Sequence, residues 1–137
     1  MEALFAALDK EMLERYPETS LHPVAPEQAG VEGAVIVARA GDRAVGCGML
    51  RPLTRDRAEI KRMYVDRAFR RHGLARRILE ALERAAQQSG YRELCLETGT
   101  KQPEAIALYE GAGFRSIPPF GEYVNDPFSV CFQKNLF

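Results

Sequence analysis

The stretch Arg70-Arg71-His72-Gly73-Leu74-Ala75-Arg76-Arg77 gathers four arginines around a glycine, just where an apolar stripe of helical period begins. A helix N-terminus already carries partial positive charge and favours anions. Arg76 and Arg77 in an opening turn therefore run against the local electrostatics, and a bound anion would resolve the conflict. A strand ending in a glycine-bearing loop that leads into a helix aims several backbone N–H groups at one point, where a phosphate can sit. The loop is neither G-x-x-x-x-G-K-[ST] nor G-x-G-x-x-G, so the nucleoside triphosphate and dinucleotide fingerprints are missing. On charge alone, a solvated basic turn is an equally good reading.

Other reactive side chains narrow the chemistry. Ser20, Ser89, Ser116 and Ser129 stand in no G-x-S-x-G motif, which argues against a serine hydrolase. Cys47, Cys95 and Cys131 lie in apolar surroundings without C-x-x-C spacing and read as buried free thiols. His22 and His72 are too few and too far apart for a metal site, so no metal is expected.

The elements that must position these groups follow from pattern. A chain of 137 residues with 46% hydrophobic content is long enough for one core and too short for two, so residues 1–137 read as a single domain. Leu4, Phe5, Leu8, Met12 and Leu13 fall at helical spacing and stop at Pro17. A Pro-rich loop follows through Pro26. Residues 31–53 read as two strands joined by a turn at Ala40 to Asp42. Residues 58–65, AEIKRMYV, form a third strand with imperfect alternation. Leu74, Ile78, Leu79, Leu82 and Ala86 make one helix face that ends at Gly90. Residues 93–99 return as a strand, giving a strand, helix, strand unit of the kind that pairs in parallel. Pro103 opens a second helix, and residues 114–117 and 126–137 supply two more strands. The fold class is α/β, a mixed sheet with helices on its faces.

At this point the chain resembles the GNAT superfamily of acetyl-coenzyme A dependent N-acetyltransferases. Its signature [QR]-x-x-G-x-[GA] is filled by Arg70, Gly73 and Ala75. A second family element, usually N-x-x-A-x-x-L-Y-x-x-x-G-F, is similar to Gln102-Pro-Glu-Ala105-Ile-Ala-Leu108-Tyr109-Glu-Gly-Ala-Gly113-Phe114, with Gln102 the one departure. The two motifs stand in the family's order and cover residues 58 to 114. The resemblance implies an acyl-CoA N-acyltransferase fold with a central mixed sheet of six or seven strands. Its first strand is expected to be missing, because this chain opens directly in a helix.

The resemblance also implies roles. Backbone amides from Arg71 through His72, Gly73, Leu74 and Ala75 to Arg76 would hold the pyrophosphate of acetyl-CoA. The pantetheine arm would lie along Met63, Tyr64 and Val65, whose main-chain groups the family leaves unpaired. The Met63 amide would meet the thioester oxygen, a task usually worth several kcal/mol. Gln102 would contact the arm in place of the usual Asn. A protonated amine needs a base. Glu59, eleven residues before Arg70, matches the base of histone-modifying members, and Glu97 matches that of members acetylating protein N-termini. At ~3.3 Å per residue, Glu59 stands about 13 Å along the strand from Met63 and would act through water. Without the resemblance it reads as an exposed carboxylate paired with Lys61 or Arg57. Tyr109 would return a proton to the departing thiolate; without the motif it is a core aromatic.

The expected activity is acetyl transfer to a primary amine, on a small molecule or a protein, by direct attack in a ternary complex. A non-catalytic acyl-CoA binding or sensing module would keep the loop and need neither Tyr109 nor a base. A nucleic-acid surface has some local support: residues 51–77 hold ten Lys or Arg against Asp56, Glu59 and Asp66. Formal charge is nonetheless zero overall and stacking aromatics are not interleaved, so no nucleic-acid or membrane partner is expected. Glu122 and Tyr123, in the loop of residues 118–127, could greet a cationic amine, or the loop is simply a solvated connection. The missing first strand and the apolar C-terminal VCFQKNLF leave room for a homodimer built by strand pairing. With no signal peptide, membrane span or lipidation motif, the chain reads as cytoplasmic.

Overall fold

A computed structural model describes the backbone of residues 19–24 and all of residues 34–137. The helix expected over residues 2–16 lies outside the described residues. Near-continuous runs of buried, mostly small or β-branched residues build β2 (Val35–Ala40) and β3 (Arg43–Pro52), joined at the Gly41 turn, where φ is +58°. Next come β4 (Arg57–Val65), α1 (Leu74–Gln88), β5 (Glu93–Gly99), α2 (Pro103–Gly111), β6 (Arg115–Ile117) and β7 (Ser129–Asn135). A strand β1 (Thr19–Val24) precedes them. The seven strands form one sheet in the order β1-β2-β3-β4-β5-β7-β6.

Two expectations change here. The edge expected to lack its first strand is filled by β1, antiparallel to β2 from Thr19↔Ala40 to Val24↔Val35, within the stretch read as a Pro-rich loop. Pro23 misled that reading, since it cannot donate to a ladder; an edge strand tolerates this because one side needs no partner. The apolar β7 is no free edge either. It lies between β5 and β6, pairing Cys131 with Glu97 on one side and with Ile117 on the other.

Among the described strands only β4 and β5 run parallel, as the α1 crossover between them requires. Their ladder runs from Arg57↔Glu93 to Ile60↔Leu96 and stops, although β4 continues to Val65 and β5 to Gly99. A β-bulge sits just past that point. Cys47 pairs with Tyr64 and Met49 with Lys61, so β4 carries one residue more than β3 there. Arg62 takes up the extra length at φ +55°. A bulge shifts the two-residue alternation by one. Ala58 and Ile60 thus face α1 before it, and Met63 and Val65 pack with the same core after it. That shift is the cause of the imperfect alternation in AEIKRMYV.

Leu74, Ile78, Leu79, Leu82 and Ala86 of α1 are buried in a core with Ile36, Val45, Leu50, Leu94 and Leu96. Each large aliphatic chain so buried contributes roughly 1.5–3 kcal/mol. Two glycines in β3 let the helix come this close. A Cβ on Gly46 would stand 2.9 Å from Ile78 Cδ1, and one on Gly48 would stand 2.7 Å from Leu82 Cδ1 and 2.9 Å from Met63 Sδ. Gly48→Val should therefore overpack the sheet and helix by about 1–3 kcal/mol. A thermal melt should show a midpoint lower by roughly 5–15 °C; an unchanged midpoint would mean the helix can lift off β3 without cost.

Candidate active site

The loop between β4 and α1 is built from its first residue. The Asp66 amide donates to the Val45 carbonyl at 2.8 Å, and its carboxylate accepts from the Ala68 amide at 3.1 Å. This starts the short turn Arg67–Phe69, and Phe69 drops into the core as an anchor. The chain then reverses through two left-handed residues, Arg71 at φ +69° and Gly73 at φ +76°. For a non-glycine residue such a conformation costs of order 1–3 kcal/mol, and it is kept where the surroundings impose it.

Gly73 is the N-cap of α1, has no side chain to cap with, and has no acid in the first turn to offset the dipole. The Arg77 amide is the first to close on the helix, reaching the Gly73 carbonyl at 3.1 Å. The amides of Leu74, Ala75 and Arg76 precede that bond and point out of the helix end. Such a cap suits an anion, worth typically 0.3–1 kcal/mol from the dipole alone. The arginines divide their work. Arg70 Nε donates to the Val65 carbonyl at 2.9 Å and its guanidinium lies 5.9 Å from the Tyr64 ring centroid, so Arg70 braces the loop on the end of β4. Arg76 forms an ion pair with Glu80 at 3.6 Å and stays exposed beside the helix end.

The loop borders a cavity of about 800 Å³. Met63, Tyr64 and Val65 line it from the part of β4 beyond the parallel ladder, and Arg71, Gly73, Leu74, Ala75 and Arg76 line it from the loop and helix start. Gln102 and Tyr109 close it from α2. His72 is exposed and does not line the cavity. Sequence reasoning missed Lys101, Glu104, Ala105 and Leu108, which line it too. The signal was there: Ala105, Leu108 and Tyr109 fall at helical spacing on the face of α2 that carries the tyrosine.

Tyr109 is both core and cavity wall. It is only 6% exposed and packs edge-on to Phe114 with centroids 6.0 Å apart. Burial pushes its phenol up to about 12, so it keeps its proton through the neutral range. Among the described residues nothing hydrogen-bonds its hydroxyl, which is left to the cavity.

Neither glutamate lines this cavity; both face the other side of the sheet. Glu59, within the parallel ladder opposite Cys95, is 1% exposed rather than the exposed carboxylate expected, and its partner is neither Lys61 nor Arg57. Arg51 Nη2 lies 2.9 Å from its Oε1, and the Tyr123 hydroxyl donates to its Oε2 at 2.8 Å. Cross-strand register explains the first contact, since Arg51 stands directly opposite Glu59 in β3. Glu97 lies one residue past the last parallel pair, half-buried, and accepts a hydrogen bond from Ser129 Oγ at 2.7 Å on Oε2. Lys61 holds Glu122 at 3.2 Å. Glu122 is thus paired with Lys61, and Tyr123 donates its hydroxyl to Glu59. The three cysteines are buried and free as expected, and burial pushes the Cys95 thiol up to about 12.

The chain matches the model of the acetyltransferase (GNAT) family over residues 1–114. It is 37% identical to an IAA acetyltransferase of Azospirillum brasilense over 97% of its own length and 88% of that protein. It is also 37% identical to YsnE, an uncharacterized N-acetyltransferase of Bacillus subtilis (strain 168), over 88% of its length and 82% of the relative. A GNAT family acetyltransferase from Elizabethkingia anophelis, solved with acetyl-CoA bound, superposes with a TM-score of 0.73 at 19% identity, over 85% of this chain and 97% of that one. A left-handed glycine loop uncapped at a helix start, a sheet whose central parallel pair parts early and a tyrosine on the cavity wall thus accompany that likeness, and the chain belongs to the GNAT family of acetyltransferases.

Proposed function

We propose that the chain transfers an acetyl group from acetyl-CoA to a primary amine by direct attack in a ternary complex. The observation that carries this reading is the gap that opens where β4 and β5 part after Ile60↔Leu96, because the cavity runs from the Gly73 helix start along Met63–Val65 to Tyr109. Acetyl-CoA supplies the activated acyl group. The amides of the Arg71 to Arg76 segment, that of His72 among them, bind its pyrophosphate. Main-chain groups of Met63, Tyr64 and Val65 hold the arm, with Gln102 opposite.

The amine nitrogen adds its lone pair to the thioester carbonyl carbon, and the Met63 amide stabilises the charge that develops on oxygen. The carbon–sulfur bond then breaks with its electron pair on sulfur. Tyr109, protonated at neutral pH, gives that sulfur its proton and is reprotonated from solvent. The proton lost by nitrogen goes to Glu97 through water. Glu97 is favoured over Glu59 because it stands where the strands part and is half-buried, whereas Glu59 is 1% exposed, with Oε2 taken by the Tyr123 hydroxyl and Oε1 ion-paired with Arg51. Glu59 then anchors the loop of residues 118–127 to the sheet.

Tyr109→Phe should lower kcat by about 10²-fold, with KM for acetyl-CoA within about a factor of two. Because the phenol titrates near 12, the wild-type rate should show no alkaline loss from this group below about pH 11, and the acid limb should not move in the variant. Turnover at the wild-type rate would contradict the role, whereas lost turnover with retained binding would speak against a mere binding module. Glu97→Gln should lower kcat/KM by about 10²-fold and Glu59→Gln leave it within about threefold; the reverse would hand the base role to Glu59. Glu59→Ala should destabilise by roughly 1–3 kcal/mol in urea titration, since it leaves the Tyr123 hydroxyl without its acceptor and Arg51 without its ion pair.

A further inference from the structure

A second, smaller hollow of about 260 Å³ lies at the ends of β5 and β7, lined by Gly99, Thr100, Lys101, Gln102 and Phe128. It meets the large cavity at Lys101 and Gln102, which line both. Its walls are fixed by backbone. The Thr100 amide donates to the Phe128 carbonyl at 2.9 Å, the Gln102 amide to the Gly99 carbonyl at 3.1 Å, and the Phe128 amide to Asp126 Oδ1 at 2.8 Å. Phe128 is therefore held in place, 63% exposed, with its side chain forming one wall of the hollow. Lys101 Nζ stands 5.9 Å from that ring centroid, and among the described residues no carboxylate pairs with it.

Among the described residues, Lys101 is the only charged side chain that lines the hollow. On the sheet face behind it, Glu59 is held by Arg51 and Tyr123, Glu122 by Lys61, and Glu97 by Ser129. Glu104 lines only the large cavity, and Asp126, whose Oδ1 is used on the Phe128 amide, does not line the hollow. What the hollow offers a visitor is a cation without an ion pair and an aromatic face, set side by side. An ammonium-rich acceptor such as a polyamine would find Lys101 repulsive. A molecule with a carboxylate and a flat apolar group would satisfy both walls, through a charge-assisted hydrogen bond and ring stacking. Sites for drug-sized ligands run to ~300–1,000 Å³, so a hollow of this size suits a molecule of amino-acid dimensions.

Given the acetyl transfer proposed above, we infer that this hollow is the acceptor subsite, and that the acceptor is a small amine bearing a carboxylate and an aromatic or similarly flat apolar group. Lys101 takes the carboxylate and Phe128 the flat group, which leaves the amine to reach past Gln102 towards the thioester.

The test uses the full chain and follows release of the coenzyme A thiol with L-phenylalanine, L-phenylalaninamide, phenethylamine and spermidine as acceptors, beside calorimetric binding of acetyl-CoA. The amino acid should exceed its amide and the carboxylate-free amine at least about tenfold in kcat/KM, with spermidine poorest. Lys101→Glu should invert that order in favour of the amide and amine. Phe128→Ala should raise KM for the amino acid at least about fivefold and leave acetyl-CoA affinity as in the parent. Preference for spermidine, equal use of acid and amide, or an effect of Lys101→Glu on acetyl-CoA affinity alone would overturn the subsite while leaving acetyl transfer standing; the last would place Lys101 on the coenzyme's own phosphate. Failure to bind acetyl-CoA at all would overturn the transferase reading itself.

Discussion

The site depends on a ladder that ends early. β4 and β5 share four register pairs and part after Ile60↔Leu96, and the bulge at Arg62 turns the rest of β4 so that Met63 and Val65 again face the helix side. A continuous parallel pair would satisfy the backbone groups of residues 61–65 from both neighbours and fill the space in which an extended ligand could lie. The left-handed φ at Arg62 is a local cost of order 1–3 kcal/mol. It is offset by the core that α1 forms with β2 to β5, which is also what holds the helix start in position. Close packing over Gly46 and Gly48 thus serves the cavity as well as stability.

Electrostatics complete the arrangement in two separate layers. On the helix side an uncapped N-terminus, Arg71 and Arg76 favour an anion, while Arg70 is used to brace the loop against Val65 and Tyr64. On the opposite side acids and bases are paired off: Arg51 with Glu59, Lys61 with Glu122. The second pair and the Tyr123 hydroxyl on Glu59 tie the segment before β7 to β4, and β7 in turn carries Ser129 to Glu97. Tyr109 links the layers' chemistry, because the burial that makes it part of the core also keeps its proton in place.

Much of this was legible in the sequence, for physical reasons that differ by element. The α1 stripe, the β2 and β3 hairpin and the Pro103 helix start were readable because period and capping are local. The Arg70 to Arg76 loop stood out because its charges oppose the helix dipole. What local pattern could not show was long-range pairing. The strand at residues 19–24 was obscured by Pro23 and exists through its partner β2. Glu59 looked like a surface carboxylate because Arg51 and Tyr123 are brought to it by register and by a loop sixty-odd residues away. The break in alternation at residues 61–63 was visible, but its meaning as a bulge depends on β3. His72 sat inside the motif yet faces outward, since a loop that turns at Arg71 and Gly73 presents its amides and not each of its side chains.

The central claim is that the cavity opening at the Gly73 helix start takes acetyl-CoA by its pyrophosphate. A calorimetric titration of the full chain with acetyl-CoA, repeated on Gly73→Glu, tests it most directly. The account expects one-to-one binding by the parent chain and loss of most of that affinity in the variant, where a carboxylate stands at the anion's place and the left-handed φ is disfavoured. Equal binding by both chains would contradict it, as would no binding by either.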